Sequence, residues 1–200
     1  MHVVTPPGAD RRDLITTQAL VRDGAPLVQV RTKGVDDRGR LELAAAVVRA
    51  ARSAGATCLV NDRVDIALAA GADGVHVGKD DLPAASARRL LGAGAVVGAT
   101  CRNAEDARRA EGEGASYVGV GPVYGTSTKT GLPDPIGPRG IEAVAAAVDI
   151  PVIGISGVTA ANAGAVLDAG AWGVAVVAAV YRADDSLAAL HELMEITGCG

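Results

Sequence analysis

The chain has 200 residues and a formal net charge of −4, enough length for one well-buried domain and a balance that gives no global attraction to anions. Aromatic residues make up 2% of it and no basic run is present, which excludes a surface of clustered cations and stacking rings for nucleic acid. No apolar stretch nears the roughly 20 residues that span a bilayer, and Cys58, Cys101 and Cys199 lie too far apart for a metal-site spacing.

Short apolar runs alternate with helical patterns along the whole chain. The first strand is expected at His2–Thr5, which follows no charged-then-apolar leader, and a leucine-rich helix at about Asp10 to Asp23. Pro26–Arg31 reads as a second strand and Asp37–Gly55 as a long helix; Thr57–Val60 and Val64–Ala70 form the next pair. Gly74–Val77 precedes a helix from about Pro83 to Gly92, and Ala95–Ala99 one from Asn103 to Gly112. Tyr117–Gly121 is followed by a helix opening near Pro138. Ile150–Ile155 leads to a helix capped by Thr159 and stopped at Gly170, and Trp172–Val177 to a last helix at Asp185–Ile196. Gly-Ala-(Asp/Ser/Trp) recurs before strands at Gly71, Gly114 and Gly170, as a repeated helix-to-strand turn requires.

Strict alternation, eight times over, implies a parallel sheet, and this count at this length implies an α/β fold of the (β/α)8 TIM-barrel type, one compact domain over residues 1–200. A doubly wound open sheet is the alternative. The core must come from Val, Ile, Leu and Ala, since phenylalanine is absent. With Cys58 in an apolar run and no disulfide framework, a reduced, cytoplasmic protein is expected.

A barrel of this kind places its chemistry at the C-terminal ends of the strands. Gln29, Arg31 and Lys33 come in and after the second strand, and Gln29 and Arg31 alternate with Leu27, Val28 and Val30, an unusual pattern for a buried strand and a costly one without an anion or a neighbouring acid. Asn61 and Asp62 follow the third strand and Asp80 and Asp81 the fourth; each could also cap the next helix. Asp62 and Asp81 lie on adjacent strands at one rim, where two carboxylates beside phosphates repel unless a cation intervenes. Mg²⁺ held by one or two carboxylates and phosphate oxygens resolves this, with Asp80 as an alternative ligand. Thr100, Cys101 and Arg102 follow the fifth strand. After the sixth comes Gly119-Val-Gly-Pro-Val-Tyr-Gly-Thr-Ser-Thr-Lys129, which offers hydroxyls, amides and an ammonium to phosphate oxygens. The last two strands contribute backbone amides, a frequent phosphate site in this fold. His76 reads as packing or supporting the pocket, and His2 and His191 as structural or exposed. The tally implies two phosphorylated small molecules.

The motifs Gln29-Val-Arg-Thr-Lys33, Asn61-Asp-Arg-Val-Asp65, Gly74-Val-His-Val-Gly78 through Asp80-Asp-Leu82, and Gly119-Val-Gly-Pro-Val123 through Thr126-Ser-Thr-Lys129 together resemble thiamine-phosphate synthases, from the second strand to the eighth. The resemblance implies condensation of 4-amino-2-methyl-5-pyrimidinylmethyl diphosphate with a thiazole phosphate, releasing pyrophosphate. It assigns Gln29, Val30, Arg31, Thr32, Lys33, Asn61, Thr100 and Lys129 to the pyrimidine diphosphate, with Arg31, Lys33 and Lys129 as the catalytic cations. It assigns Thr126, Ser127, Thr128, Gly157, Val177 and Ala178 to the thiazole phosphate, and Asp62 and Asp81 to Mg²⁺. Thr100 stands where the family commonly has serine, Ser156 replaces the first glycine of a Gly-Gly turn, and Ala178 replaces a common serine. The related thiazole tautomerases use a histidine where this chain has Arg102, and a non-catalytic phosphate-binding barrel would need neither the carboxylate pair nor Lys33 and Lys129 together.

Overall fold

Apolar strands separated by capped helices close on themselves in the computed structural model, which describes residues 1–129 and 131–199. The strands are β1 (His2–Val4), β2 (Leu27–Val30), β3 (Thr57–Asn61), β4 (Gly74–Val77), β5 (Val96–Cys101), β6 (Tyr117–Val120), β7 (Val152–Ile155) and β8 (Gly173–Val176). Each pairs in parallel with the next, and β1 closes the ring on β8 through Val3 and Val176. The helices are α1 (Arg11–Arg22), α2 (Asp37–Ala54), α3 (Val64–Ala70), α4 (Ala84–Leu91), α5 (Ala104–Gly112), α6 (Gly137–Ala145), α7 (Ala160–Asp168), α8 (Ala178–Tyr181) and α9 (Ser186–Ile196). The expected (β/α)8 barrel is therefore the observed one.

Period-two alternation divides the core. Outward-facing Val3, Val28, Val60, Val75, Val97 and Val118 pack against the helices, while Val4, Leu59, Tyr117, Ile153 and Ala175 fill the barrel interior. Each buried valine or leucine adds about 1.5–3 kcal/mol, so small β-branched side chains replace the missing phenylalanines by number. Helix ends follow their sequence signals: Asp36 accepts the Gly39 amide at 2.8 Å to open α2, and Gly55, at φ 73°, closes it.

Space inside the ring is tight. A Cβ at Gly74 would lie 2.6 Å from the carbonyl carbon of Val96 and 2.8 Å from its nitrogen, so β4 and β5 would have to separate. Gly74→Ala is expected to cost about 3 kcal/mol, read as a lower urea midpoint at constant slope.

Two local differences from the sequence reading have simple causes. β7 begins at Val152 because Pro151 has no amide; its carbonyl accepts from Val118 at 3.0 Å instead. The single turn of α8 lies within what reads as a loop, since four residues are too few to display a helical period. Among the described residues no helix is long and apolar enough to cross a membrane.

Candidate active site

A cavity of about 220 Å³ opens at the C-terminal ends of the strands, lined by Gln29, Arg31, Asn61, His76 and Thr100 on one side and by Thr126, Thr128, Lys129, Gly157, Val177 and Ala178 on the other. It adjoins a larger space of about 790 Å³ that shares Thr100 and Lys129 and runs past Asp81 and Arg102 toward α5. A shallow groove of about 430 Å³ on the outside, between α1 and α2, is lined mainly by alanines and arginines and lacks these converging strand ends.

β2 delivers its polar residues inward. Gln29 is buried and donates to Asn61 Oδ1 at 2.7 Å, which fixes both side chains. Burial holds the Arg31 guanidinium below its ordinary range, opposed by the charge of Asp62. Thr5, which sequence reasoning passed over, pins the Arg31 main chain: its hydroxyl donates to the Arg31 carbonyl at 3.1 Å and accepts the Arg31 amide at 2.8 Å. Val30 and Thr32 point the other way, Val30 into the outer core and Thr32 into a small gap facing α1 and α2, so only their main chains can serve the rim.

The carboxylates are not helix caps. Asp62 adopts φ 66°, α3 opens at Arg63 without a side-chain cap, and α4 opens at Pro83 likewise. Asp62 instead accepts Lys33 Nζ at 2.6 Å, and Asp81 accepts the Gly78 amide at 2.7 Å. Asp62 and Asp81 face each other closely enough for each to shift the other's acidity. Burial pushes both acids up. Lys33, the facing Asp81 and Arg31 bring Asp62 back below the usual carboxylate range, whereas the facing Asp62 raises Asp81 further. Two facing acids of opposed shift are a pair that a dication would favour in its fully ionised form. Among the described residues no group of three or more His, Cys, Asp or Glu converges, so the protein's own donor set is this pair, a set that suits Mg²⁺ when phosphate oxygens complete the shell.

Beneath the cavity, His76 is buried with both ring nitrogens engaged, Nδ1 with the Tyr117 hydroxyl at 2.8 Å and Nε2 with the Thr100 hydroxyl at 2.9 Å. Burial lowers it to about 4, so the ring is neutral at neutral pH. His2 is likewise buried, inside the barrel and edge-on to Tyr117, while His191 sits at the surface 2.7 Å from Asp23.

The loop after β6 carries Lys129 to the rim as an exposed side chain lining both spaces. Thr126 folds the turn by accepting the Thr128 amide at 3.1 Å. Ser127 turns outward to Arg182 Nη1 at 3.3 Å and lines neither space. Arg102 donates to the Asp134 carbonyl at 2.7 Å and so ties down the far end of this loop. Opposite, Ser156 has φ 78° and Gly157 φ 69°. The serine thus occupies a conformation suited to glycine, and a side chain at Gly157 would strike Tyr124, whose Cβ would be 2.7 Å away.

A parallel (β/α)8 barrel whose rim gathers cations, hydroxyls and a glycine turn around one cavity, with a carboxylate pair on the same rim, defines an enzyme scaffold suited to phosphorylated small molecules. The thiamine monophosphate synthase family profile matches residues 1–180, and the chain belongs to that family. It is 48% identical to the thiamine-phosphate synthase of Salinispora arenicola, over 100% of this chain and 97% of the relative. It is 43% identical to that of Moorella thermoacetica, over 97% and 92%. The thiamine phosphate pyrophosphorylase of Pyrococcus furiosus superposes with a TM-score of 0.88 at 34% identity, covering 98% of this chain and 94% of that one.

Proposed function

We propose that the chain, acting as one catalytic unit, is a thiamine-phosphate synthase: a transferase that joins the pyrimidinylmethyl group of the pyrimidine diphosphate to the ring nitrogen of a thiazole phosphate. The observation that supports this is one rim where Arg31 and the Gly157 turn line opposite sides of a shared cavity, with Lys33 held against Asp62 at 2.6 Å beside it.

In this reading the C–O bond to the diphosphate breaks first, and the diphosphate leaves with the electron pair. The pyrimidine amino group delocalises the resulting methylene cation, and the thiazole nitrogen then forms the new C–N bond. Arg31, Lys33 and Lys129 offset the charge that develops on the leaving oxygens, while Gln29 and Asn61, already locked to each other at 2.7 Å, hold the pyrimidine. Thr100 contributes a hydroxyl to the same substrate. Thr126, Thr128 and the amides near Gly157, Val177 and Ala178 receive the thiazole phosphate; with Ser127 turned to Arg182, only its main chain serves that subsite. Asp62 and Asp81 would hold Mg²⁺, which when bound neutralises diphosphate oxygens. The free, mostly buried cysteines support a reduced, cytoplasmic setting.

Purified protein given both substrates and Mg²⁺ is expected to form thiamine phosphate and pyrophosphate in equal amounts. Conversion of the thiazole phosphate alone, with no pyrophosphate, would favour a tautomerase instead.

The carboxylate pair adds a test that needs no turnover. Asp81 is raised in the folded state by burial and by Asp62. Its native carboxyl thus binds a proton more tightly than the unfolded chain does, and its contribution to stability is present at acid pH and lost as pH rises through the folded value. A cation that replaces the proton stabilises on the alkaline side of that window. Saturating Mg²⁺ is expected to raise the melting temperature by roughly 5 °C near neutral pH and far less near pH 4, by calorimetry.

A further inference from the structure

Tyr117, on β6, is buried and has one polar partner among the described residues, His76 Nδ1 at 2.8 Å. His76 Nε2 meets the Thr100 hydroxyl at 2.9 Å. Thr100 is the exposed member of β5 and lines the cavity. Distances alone leave the direction of this chain open, because hydroxyls donate or accept and a neutral imidazole has two tautomers.

Tyr117 decides it. Were His76 to donate from Nδ1, the phenolic proton would be buried without an acceptor. His2 does not supply one: its ring stands edge-on at a centroid distance of 5.9 Å, and its Nε2 has no hydrogen-bond partner. Gly98 leaves room for the phenol but offers no side chain; a Cβ there would collide with it. An orphaned buried donor is the costliest of the available arrangements. An imidazolium, donating at both nitrogens, would strand the same proton. The arrangement that satisfies every buried donor has Tyr117 donating to Nδ1 and Nε2–H donating to Thr100 Oγ1. That hydroxyl then has its own proton left, and the cavity is where it can go.

We propose that Tyr117 and His76 are positioning residues that fix Thr100 as a hydrogen-bond donor to the pyrimidine diphosphate, to a ring nitrogen or a phosphate oxygen; this deepens the synthase reading and rests on it. The chain spans three neighbouring strands, and Tyr117 and His76 shape the pocket's donor pattern through Thr100.

The test is ¹⁵N NMR of histidine-labelled protein, with the His76 signal assigned through its loss in His76→Gln, combined with calorimetric binding of the pyrimidine diphosphate. Wild-type His76 is expected as the Nε2–H tautomer. Tyr117→Phe is expected to mix the tautomers and weaken binding roughly three- to tenfold, and to cause no further loss in a Thr100→Val background. An Nδ1–H tautomer in the wild type, or a Tyr117→Phe loss that adds fully to that of Thr100→Val, overturns the proposal. The tautomer needs no substrate, so a wild-type protein that shows Nε2–H yet binds no pyrimidine diphosphate would count against the synthase reading and against Thr100 as its donor, while the direction of the chain would stand.

Discussion

Lys129→Ala is expected to lower turnover by about two to three orders of magnitude while moving the melting temperature by no more than about a degree. Lys129 is exposed and sits on a loop, and no ion pair among the described residues uses it, so little folding energy depends on it. It lines both the mouth cavity and the space beside Asp81, where the leaving diphosphate gathers charge in the proposed reaction. Removing a positive group that acts mainly as that charge develops should appear in kcat and kcat/KM together, with KM for the pyrimidine diphosphate changed less. A collapse in melting temperature with turnover intact would assign the lysine to the fold instead.

Asp62→Asn is expected to cost at least about 100-fold in kcat/KM and to raise the Mg²⁺ concentration needed for half-maximal rate. The substitution keeps the shape, and asparagine tolerates the φ of 66° at this position, so strain does not confuse the result. It removes the anion that Lys33 Nζ contacts at 2.6 Å and half of the carboxylate pair. It should also relax Asp81 toward its ordinary range, since the facing Asp62 is one of the causes of its rise; the gain in melting temperature on adding Mg²⁺ should therefore shrink. Asp80→Ala, which leaves both members of this pair in place, serves as the comparison and should keep its metal dependence.

The barrel was legible because its periodicity is global: eight apolar runs, each closed by a helix, admit few topologies. Gln29 and Arg31 were legible because polar residues alternating with apolar ones in and just after a buried strand demand an explanation. The same alternation shows that Val30 and Thr32 face outward, a signal that a contiguous motif obscures. Asn61, Asp62 and Asp81 could not be told from helix caps by spacing; the positive φ at Asp62 and the uncapped starts of α3 and α4 separate the two roles. Ser127 turns away from its neighbours because no period governs a loop. The Tyr117–His76–Thr100 chain was out of reach for another reason. Its members stand 41 and 24 residues apart in sequence, and only closure of adjacent strands brings them together.

The central claim is that one rim binds both substrates and that diphosphate departs from it. It is tested most directly by following pyrophosphate release while each component is left out in turn. Sustained release is expected only with the pyrimidine diphosphate, the thiazole phosphate and Mg²⁺ all present, matched mole for mole by thiamine phosphate. No release under any order of addition, with any divalent cation, would contradict the account.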